Sequence, residues 1–359
     1  MKNFLLALTA LFSVSIGLAQ APANYYNSAT GTGYQLKTQL YNIIKDHDDQ
    51  SYAALWDLYK HDSFRDVYDY YENDGTLLDV YSENPTGIDP YNFYTGTNQC
   101  GNYSGEGSCY NREHTIPQSV FGSGVPRTDG HHVVPTDGYV NNKRSNFPFG
   151  NAVSNGGWTS QNGSRVASSA VTGYTGNVFE PIDEFKGDFA RIHFYFATRY
   201  QNQISDWNYA MFNGTTTQVF EDGFLDVLLQ WHENDPVSEM EIARNNRVYQ
   251  FQDNRNPFID NPDYVHEIWG YSSTYSVIEL EQIYVSVYPN PAKDQRLNIS
   301  TDKQIEKITL INLNGQIIQQ IKQPVSQNNT YTLNNLPQGF YILNLNVENQ
   351  NITKKVIVN

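Results

Sequence analysis

The chain has 359 residues, with 23 basic and 38 acidic side chains, a formal net charge of −15 and two cysteines. Hydrophobic residues make up 39% and aromatic residues 14%, 27 of them tyrosines, which excludes a disordered polyelectrolyte. Two cysteines exclude a disulfide-dense scaffold and a four-cysteine zinc site, and the length suits roughly two domains.

Met1-Lys2-Asn3 precedes an apolar run over residues 4–16, and Gly17-Leu18-Ala19 places small residues before Gln20. This pattern predicts a signal peptide over residues 1–19; a buried N-terminal helix is the alternative. Beyond it, no apolar run is long enough to span a membrane. A mature chain starting near Gln20 would lie outside the cytoplasm, where Cys100 and Cys109 can pair across a loop rich in Gly, Ser and Asn. Two free thiols is the other state.

Leu36, Leu40, Ile43 and Ile44 recur at helical spacing and predict a helix over about residues 34–46. Residues 98–178, rich in Gly, Asn, Ser and Thr, read as strands and long loops. From Gly187 the pattern turns helical, with Phe189, His193, Phe196 and Tyr200 on one face. Further helices are predicted over about 222–233 and 237–248. Asp235 or Ser238 can cap the second of these, and residues 254–258 read as an ordered loop that packs Arg255 on a carboxylate.

The composition changes near residue 270. A linker is expected over 271–284 and a small all-β domain over 285–359. There Asn314-Gly315 separates two apolar runs, a hairpin signal, and Tyr341, Leu343, Leu345 and Val347 alternate with polar residues as in a half-buried strand. Its Val287-Tyr288-Pro289-Asn290-Pro291-Ala292, Leu336-Pro337-Gln338-Gly339-Phe340-Tyr341 and Lys354-Lys355-Val356-Ile357-Val358 resemble the C-terminal sorting domain of proteins exported by the type IX secretion system. A carbohydrate-binding or adhesive sandwich is the alternative. The resemblance implies secretion machinery as a partner, and release or surface attachment after outer-membrane passage.

The densest polar chemistry is Asn111-Arg112-Glu113-His114, followed by Asp129-Gly130-His131-His132 and by Val140-Asn141-Asn142-Lys143-Arg144. Glu113 and Asn141 offer hard oxygen ligands, suited to magnesium or calcium more than to zinc. His114 can be neutral at pH 7 and accept a proton from water. Neighbouring strand residues point to opposite faces, so Glu113 and His114 share a site only near a bend or strand end. Arg112, Arg127 and Arg144 can grip phosphate oxygens bidentately. These are the parts that phosphodiester hydrolysis requires.

Arg112-Glu113-His114 with Pro117, Asp129 and His131 with Pro135, Val140-Asn141 with Arg144-Ser145-Asn146-Phe147, Phe179-Glu180-Pro181, and Asn254-Arg255-Asn256-Pro257-Phe258 occur in order. Over about residues 25–270 they resemble the endonuclease I family, nonspecific nucleases with a ββα-metal core. The resemblance implies an α+β fold with that core in a mainly helical catalytic domain over 20–270; the strand pattern over 285–359 predicts a sandwich-like C-terminal domain. It implies His114 as general base and Glu113 and Asn141 as ligands of one Mg2+, with Ca2+ or Mn2+ as substitutes. It also implies Arg127, Arg144 and His131 near the substrate, and 5′-phosphate ends. A helix over residues 139–146 would place Asn141 in its first turn. The expected substrate is DNA, with RNA as a second, and the expected state a monomer. The alternatives are an extracellular ribonuclease of the same fold and an inactive secreted surface-binding protein.

Residues 20–286 hold 15 basic and 34 acidic side chains, a charge that repels polyanions at distance. Residues 20–106 alone carry 13 acidic and 4 basic side chains, whereas eight basic residues lie between Arg112 and Arg199. A cleft in that middle region can be locally positive.

Overall fold

The computed structural model describes residues 21–270 and 285–358, apart from 69–71, 86, 101, 294, 302, 313–315, 327–328 and 348–349. The expected signal peptide and linker lie outside the described residues. The chain divides into two compact units, Met1–Ser272 and Ser273–Asn359.

In the first unit, α1 (Gly33–Ile44) and the short α2 (Ala54–Leu58) precede β1 (Tyr110–His114). α3 (Gln118–Phe121), β2 (Val133–Asp137) and α4 (Gly138–Arg144) follow. A small antiparallel sheet comes next, of β3 (Trp158–Thr159), β4 (Arg165–Ser168) and β5 (Asn177–Glu180). Helices α5 (Lys186–Arg199), α6 (Asp222–Asn234), α7 (Glu239–Gln252), α8 (Pro257–Asp260) and α9 (Tyr264–Trp269) complete it.

α5 is the axis of this unit. Every residue from Gly187 to Arg199 is buried, so both its apolar and its polar faces are covered. Phe189, Phe194, Phe196 and Ala197 join Leu36 and Leu40 of α1 and Leu225 and Leu228 of α6 in one apolar core. On its polar side Arg191 donates to both Glu241 oxygens at 2.6 and 2.7 Å. Ser238 caps α7 in a capping box with Glu241. Arg255 grips Asp260 with two bonds of 2.6 and 2.7 Å, fixing the loop before α8.

The second unit turns strands β6 (Ser286–Lys293), β7 (Arg296–Ser300), β8 (Ile305–Asn312), β9 (Ile317–Lys322), β10 (Thr330–Leu333), β11 (Gly339–Val347) and β12 (Gln350–Val358) into one curled sheet. Among the described residues its order is β10-β7-β6-β12-β11-β8-β9. A sandwich-like pair of sheets was the expectation. Instead a bridge between Val358 and Ala292 joins the two halves, and the inner faces share one core of Leu297, Ile299, Leu310, Leu343, Leu345 and Val356. Tyr341, Leu343, Leu345 and Val347 are buried in alternation along β11. β8 and β9 pair antiparallel on either side of the expected Asn-Gly turn, which lies outside the described residues.

Candidate active site

β1 and β2 pair antiparallel, with Glu113 opposite Val134 and His114 opposite Val133. β2 runs straight into α4, and Asp137 makes that junction. Its Oδ1 accepts from the amides of Tyr139 (2.7 Å) and Val140 (2.8 Å), and its Oδ2 from Gly107 (2.8 Å). Gly107 belongs to the loop closed by the Cys100–Cys109 disulfide. Gly138 has no room for a side chain, because a Cβ there would lie 2.6 Å from Cys100 Sγ. The disulfide loop therefore braces the first turn of α4 from two sides.

Asn111 and Glu113 share one face of β1, and α4 covers it. Asn141 Nδ2 donates to Asn111 Oδ1 at 2.8 Å, which turns its own Oδ1 into the remaining acceptor. Arg144 Nη1 lies 3.0 Å from Glu113 Oε1, and Tyr81 Oη donates to the same oxygen at 3.1 Å. Among the described residues Glu113 Oε2 has no hydrogen-bond partner. Burial pushes Glu113 up to about 7 against the opposing pull of Arg144 and Tyr81. Arg144 also bonds the carbonyls of His114 (3.0 Å) and Thr115, holding the backbone where β1 ends.

Arg112 and His114 occupy the other face. His114 Nε2 is 3.2 Å from the Arg127 carbonyl, an acceptor only, so Nε2 carries the proton and Nδ1 the lone pair. Burial, then the neighbouring His132, lowers His114 to about 3, so the ring is neutral at pH 7. Tyr52 stacks on His114 at 5.9 Å, and its ring also carries the guanidinium carbons of Arg112 and Arg127 at 3.4 and 4.2 Å. One tyrosine thus gathers two cations beside the imidazole.

A second layer holds the loop that positions His114. His132 Nε2 donates to the Pro126 carbonyl at 2.7 Å, one residue before the carbonyl that receives His114. His131 Nε2 donates to the Asn254 carbonyl at 2.9 Å. Asp129 accepts from Tyr195, Tyr200, Gln252 and the His131 amide. Burial holds both His131 and His132 near 4, hence neutral.

Glu113 and Asn141 thus lie on one face of β1 with Arg144, and His114 lies on the other with Arg127. Arg127 is partly exposed, whereas Arg144 and His131 are enclosed, at 1% and 5% exposure. Sequence reasoning missed Tyr52 and Tyr81. Both lie in an acidic, aromatic stretch with no periodic signal, and only their long-range contacts single them out.

An α+β unit that carries hard oxygen donors, a neutral imidazole and arginines on and against one strand, joined to a curled β domain, defines the class of protein. The chain belongs to the endonuclease I family, which it matches over residues 32–263, and is a nuclease. Residues 286–359 match the secretion system C-terminal sorting domain, so the nuclease is secreted or held at the cell surface. The extracellular ribonuclease of Bacillus subtilis (strain 168) is 34% identical over 255 residues, covering 68% of this chain and 78% of the relative. That of Bacillus amyloliquefaciens is 35% identical over 256 residues with the same coverage. Endonuclease-1 of Buchnera aphidicola subsp. Baizongia pistaciae (strain Bp) is 26% identical over 132 residues, covering 37% and 46%.

Proposed function

We propose that this chain is a divalent-metal-dependent endonuclease that hydrolyses DNA and RNA without base specificity, leaving 5′-phosphate and 3′-hydroxyl ends. β1, β2 and α4 serve as its ββα-metal core. The observation that carries the reading is that Glu113 Oε2 and Asn141 Oδ1 are left uncommitted where α4 covers β1, while the next residue of the strand is a histidine whose free nitrogen is fixed by a carbonyl. An oxygen pair of this kind fits magnesium, with calcium or manganese as substitutes, and does not suit zinc. When bound there, the ion supplies positive charge to the scissile phosphate and the departing 3′-oxygen.

His114 Nδ1 takes the proton of the attacking water, and the Arg127 carbonyl keeps the ring in the required tautomer. Arg127 and Arg112 bind phosphate oxygens from their stack on Tyr52. Arg144 holds Glu113 and the end of β1 in place, and His131 steadies the preceding loop; both are positioning residues. Water is the nucleophile, so no 2′-hydroxyl is needed and both nucleic acids are substrates. That the Bacillus relatives are extracellular ribonucleases favours RNA as the better one. We place the domains at 1–19 (signal), 20–270 (catalytic), 271–284 (linker) and 285–359 (sorting), and the active unit is a monomer.

The test is supercoiled-plasmid and structured-RNA cleavage by the purified protein. Magnesium should support nicking, EDTA should abolish it, and His114→Ala should lower the rate by about 10²–10⁴. Turnover that persists in EDTA, or in the variant, would remove this mechanism.

A further inference from the structure

The acidic excess of the N-terminal third is not spread evenly. Glu72, Glu83 and Asp89 each offer a carboxylate oxygen, and these oxygens all lie within 4.8 Å of one another. Glu72 is exposed, Asp89 half-buried, and Glu83 only 1% exposed. Two backbone amides fix the outer pair: Asp89 N donates to Glu72 Oε1 and Asn84 N to Asp89 Oδ1, both at 2.7 Å.

Glu83 has no such partner. Both of its carboxylate oxygens are buried and neither receives a hydrogen bond. Asp89, Asp66, Glu72 and Asp79 all press negative charge on it. Among the described residues no lysine or arginine pairs with Glu72, Glu83 or Asp89. An ionised carboxylate taken from water with neither donor nor counter-charge costs several kcal/mol, so the group must either meet a cation or hold a proton. The three carboxylates converge on one point, and the exposed Glu72 leaves that point open to water and ions.

We propose that Glu72, Glu83 and Asp89 form a structural calcium site, separate from the β1–α4 site. The donor set is oxygen only, carboxylate-rich and carried by irregular backbone, which suits the six to eight flexible ligands of calcium better than the strict octahedron of magnesium. No histidine or cysteine belongs to the cluster, which argues against zinc or copper.

The site braces a segment the nuclease depends on. Residues 72–98 contain no regular helix or strand among the described residues, yet Tyr81 donates to Glu113 and Asp79 Oδ2 accepts from the Asp137 amide at 2.8 Å. A calcium ion bound beside Glu83 ties this loop together two residues from Tyr81. Binding at extracellular levels, with Kd of about 10⁻⁴–10⁻³ M, is enough for such a role.

The test uses the mature protein carrying Asn141→Ala, which removes a ligand from the β1–α4 site, and reads thermal unfolding and calorimetric titration rather than activity. After EDTA treatment, calcium should bind with one equivalent and raise Tm by about 5–10 °C at a hundredfold excess over Kd. Glu83→Gln and Asp89→Asn, each added to that background, should abolish both responses. In calcium-free buffer Glu83→Gln should melt at or above its parent, because it neutralises an unpaired buried carboxylate. The proposal falls if the parent does not respond to calcium. It also falls if magnesium gives an equal shift, or if the response survives both substitutions. A silent parent would mean that Glu83 is held as the neutral acid, consistent with burial lifting it to about 9.

Discussion

Arg127 and Arg144 carry the same charge and lie close to the same histidine, yet burial gives them opposite work. Arg144 is enclosed, with its guanidinium divided between Glu113 and two strand-end carbonyls. Arg127 offers a partly exposed guanidinium stacked on Tyr52 and lends His114 only its backbone carbonyl. Arg144→Met should therefore lower stability by about 3–5 kcal/mol in urea unfolding, because it strands a buried carboxylate. Arg127→Ala should leave unfolding within about 0.5 kcal/mol of the parent and lower kcat/KM by about tenfold or more. Equal losses of stability in both variants would refute the distinction. Of these residues the sequence marked the charged ones, because Arg, Glu and His stand out in a run; it could not show which would be covered.

At the scale of elements, α4 is a short helix whose placement decides the site. Seven residues cannot sustain a helix alone, so the Asp137 cap, the disulfide loop and the contact with β1 must hold it. Asp137→Ala removes three accepted backbone bonds and should cost about 2 kcal/mol, measured by thermal unfolding. It should also weaken the magnesium dependence of cleavage, since Asn141 sits in the turn it caps. An unchanged magnesium titration would show that α4 is held without its cap. Helix α1 makes a different case. Lys37 is buried and donates to the Thr216 carbonyl at 2.8 Å and to Gln201 Oε1 at 3.1 Å, and burial lowers its pKa from 10.5 to about 7. Below pH 7 both folded and unfolded chains carry the proton. Between about 7 and 10.5 only the unfolded chain does, so stability should rise with pH across that window. This one group contributes at most about 1.4 kcal/mol per pH unit. Lys37→Met should flatten the slope in urea melts at pH 7 and 9; an identical slope would mean the ammonium stays charged in the fold.

At the scale of the whole molecule, charge and address matter most. The catalytic region is strongly acidic, so the proposed mechanism relies on a local grip by Arg112, Arg127 and a bound cation rather than on steering from afar. Such a grip neutralises few phosphates, and the log–log dependence of affinity on salt should be shallower than about −5. A steeper slope in filter binding at 50–200 mM salt would point to a long cationic footprint. The curled β domain carries 7 basic and 4 acidic residues over 287–359 and takes no part in that argument; its match to a secretion sorting domain ties it to export.

Local order in the chain was enough to determine a great deal. Periodicity located α1, α5, α6 and α7, since an apolar stripe at 3.6-residue spacing is a local property. Alternation located β11, and the ordered motifs gave the family and the residues of the candidate site. The sequence placed strands and loops over 98–178 without bounding β3–β5, and it did not reveal the short helices α2, α8 and α9; these elements are too brief to show a period and exist because the core holds them. Nor did it distinguish two packed sheets from one curled sheet, because that depends on the bridge between Val358 and Ala292, distant in sequence. The same reason explains Tyr52, Tyr81 and the partners of His131 and His132. Their roles arise from contacts across tens of residues, and only the tertiary structure brings those residues together.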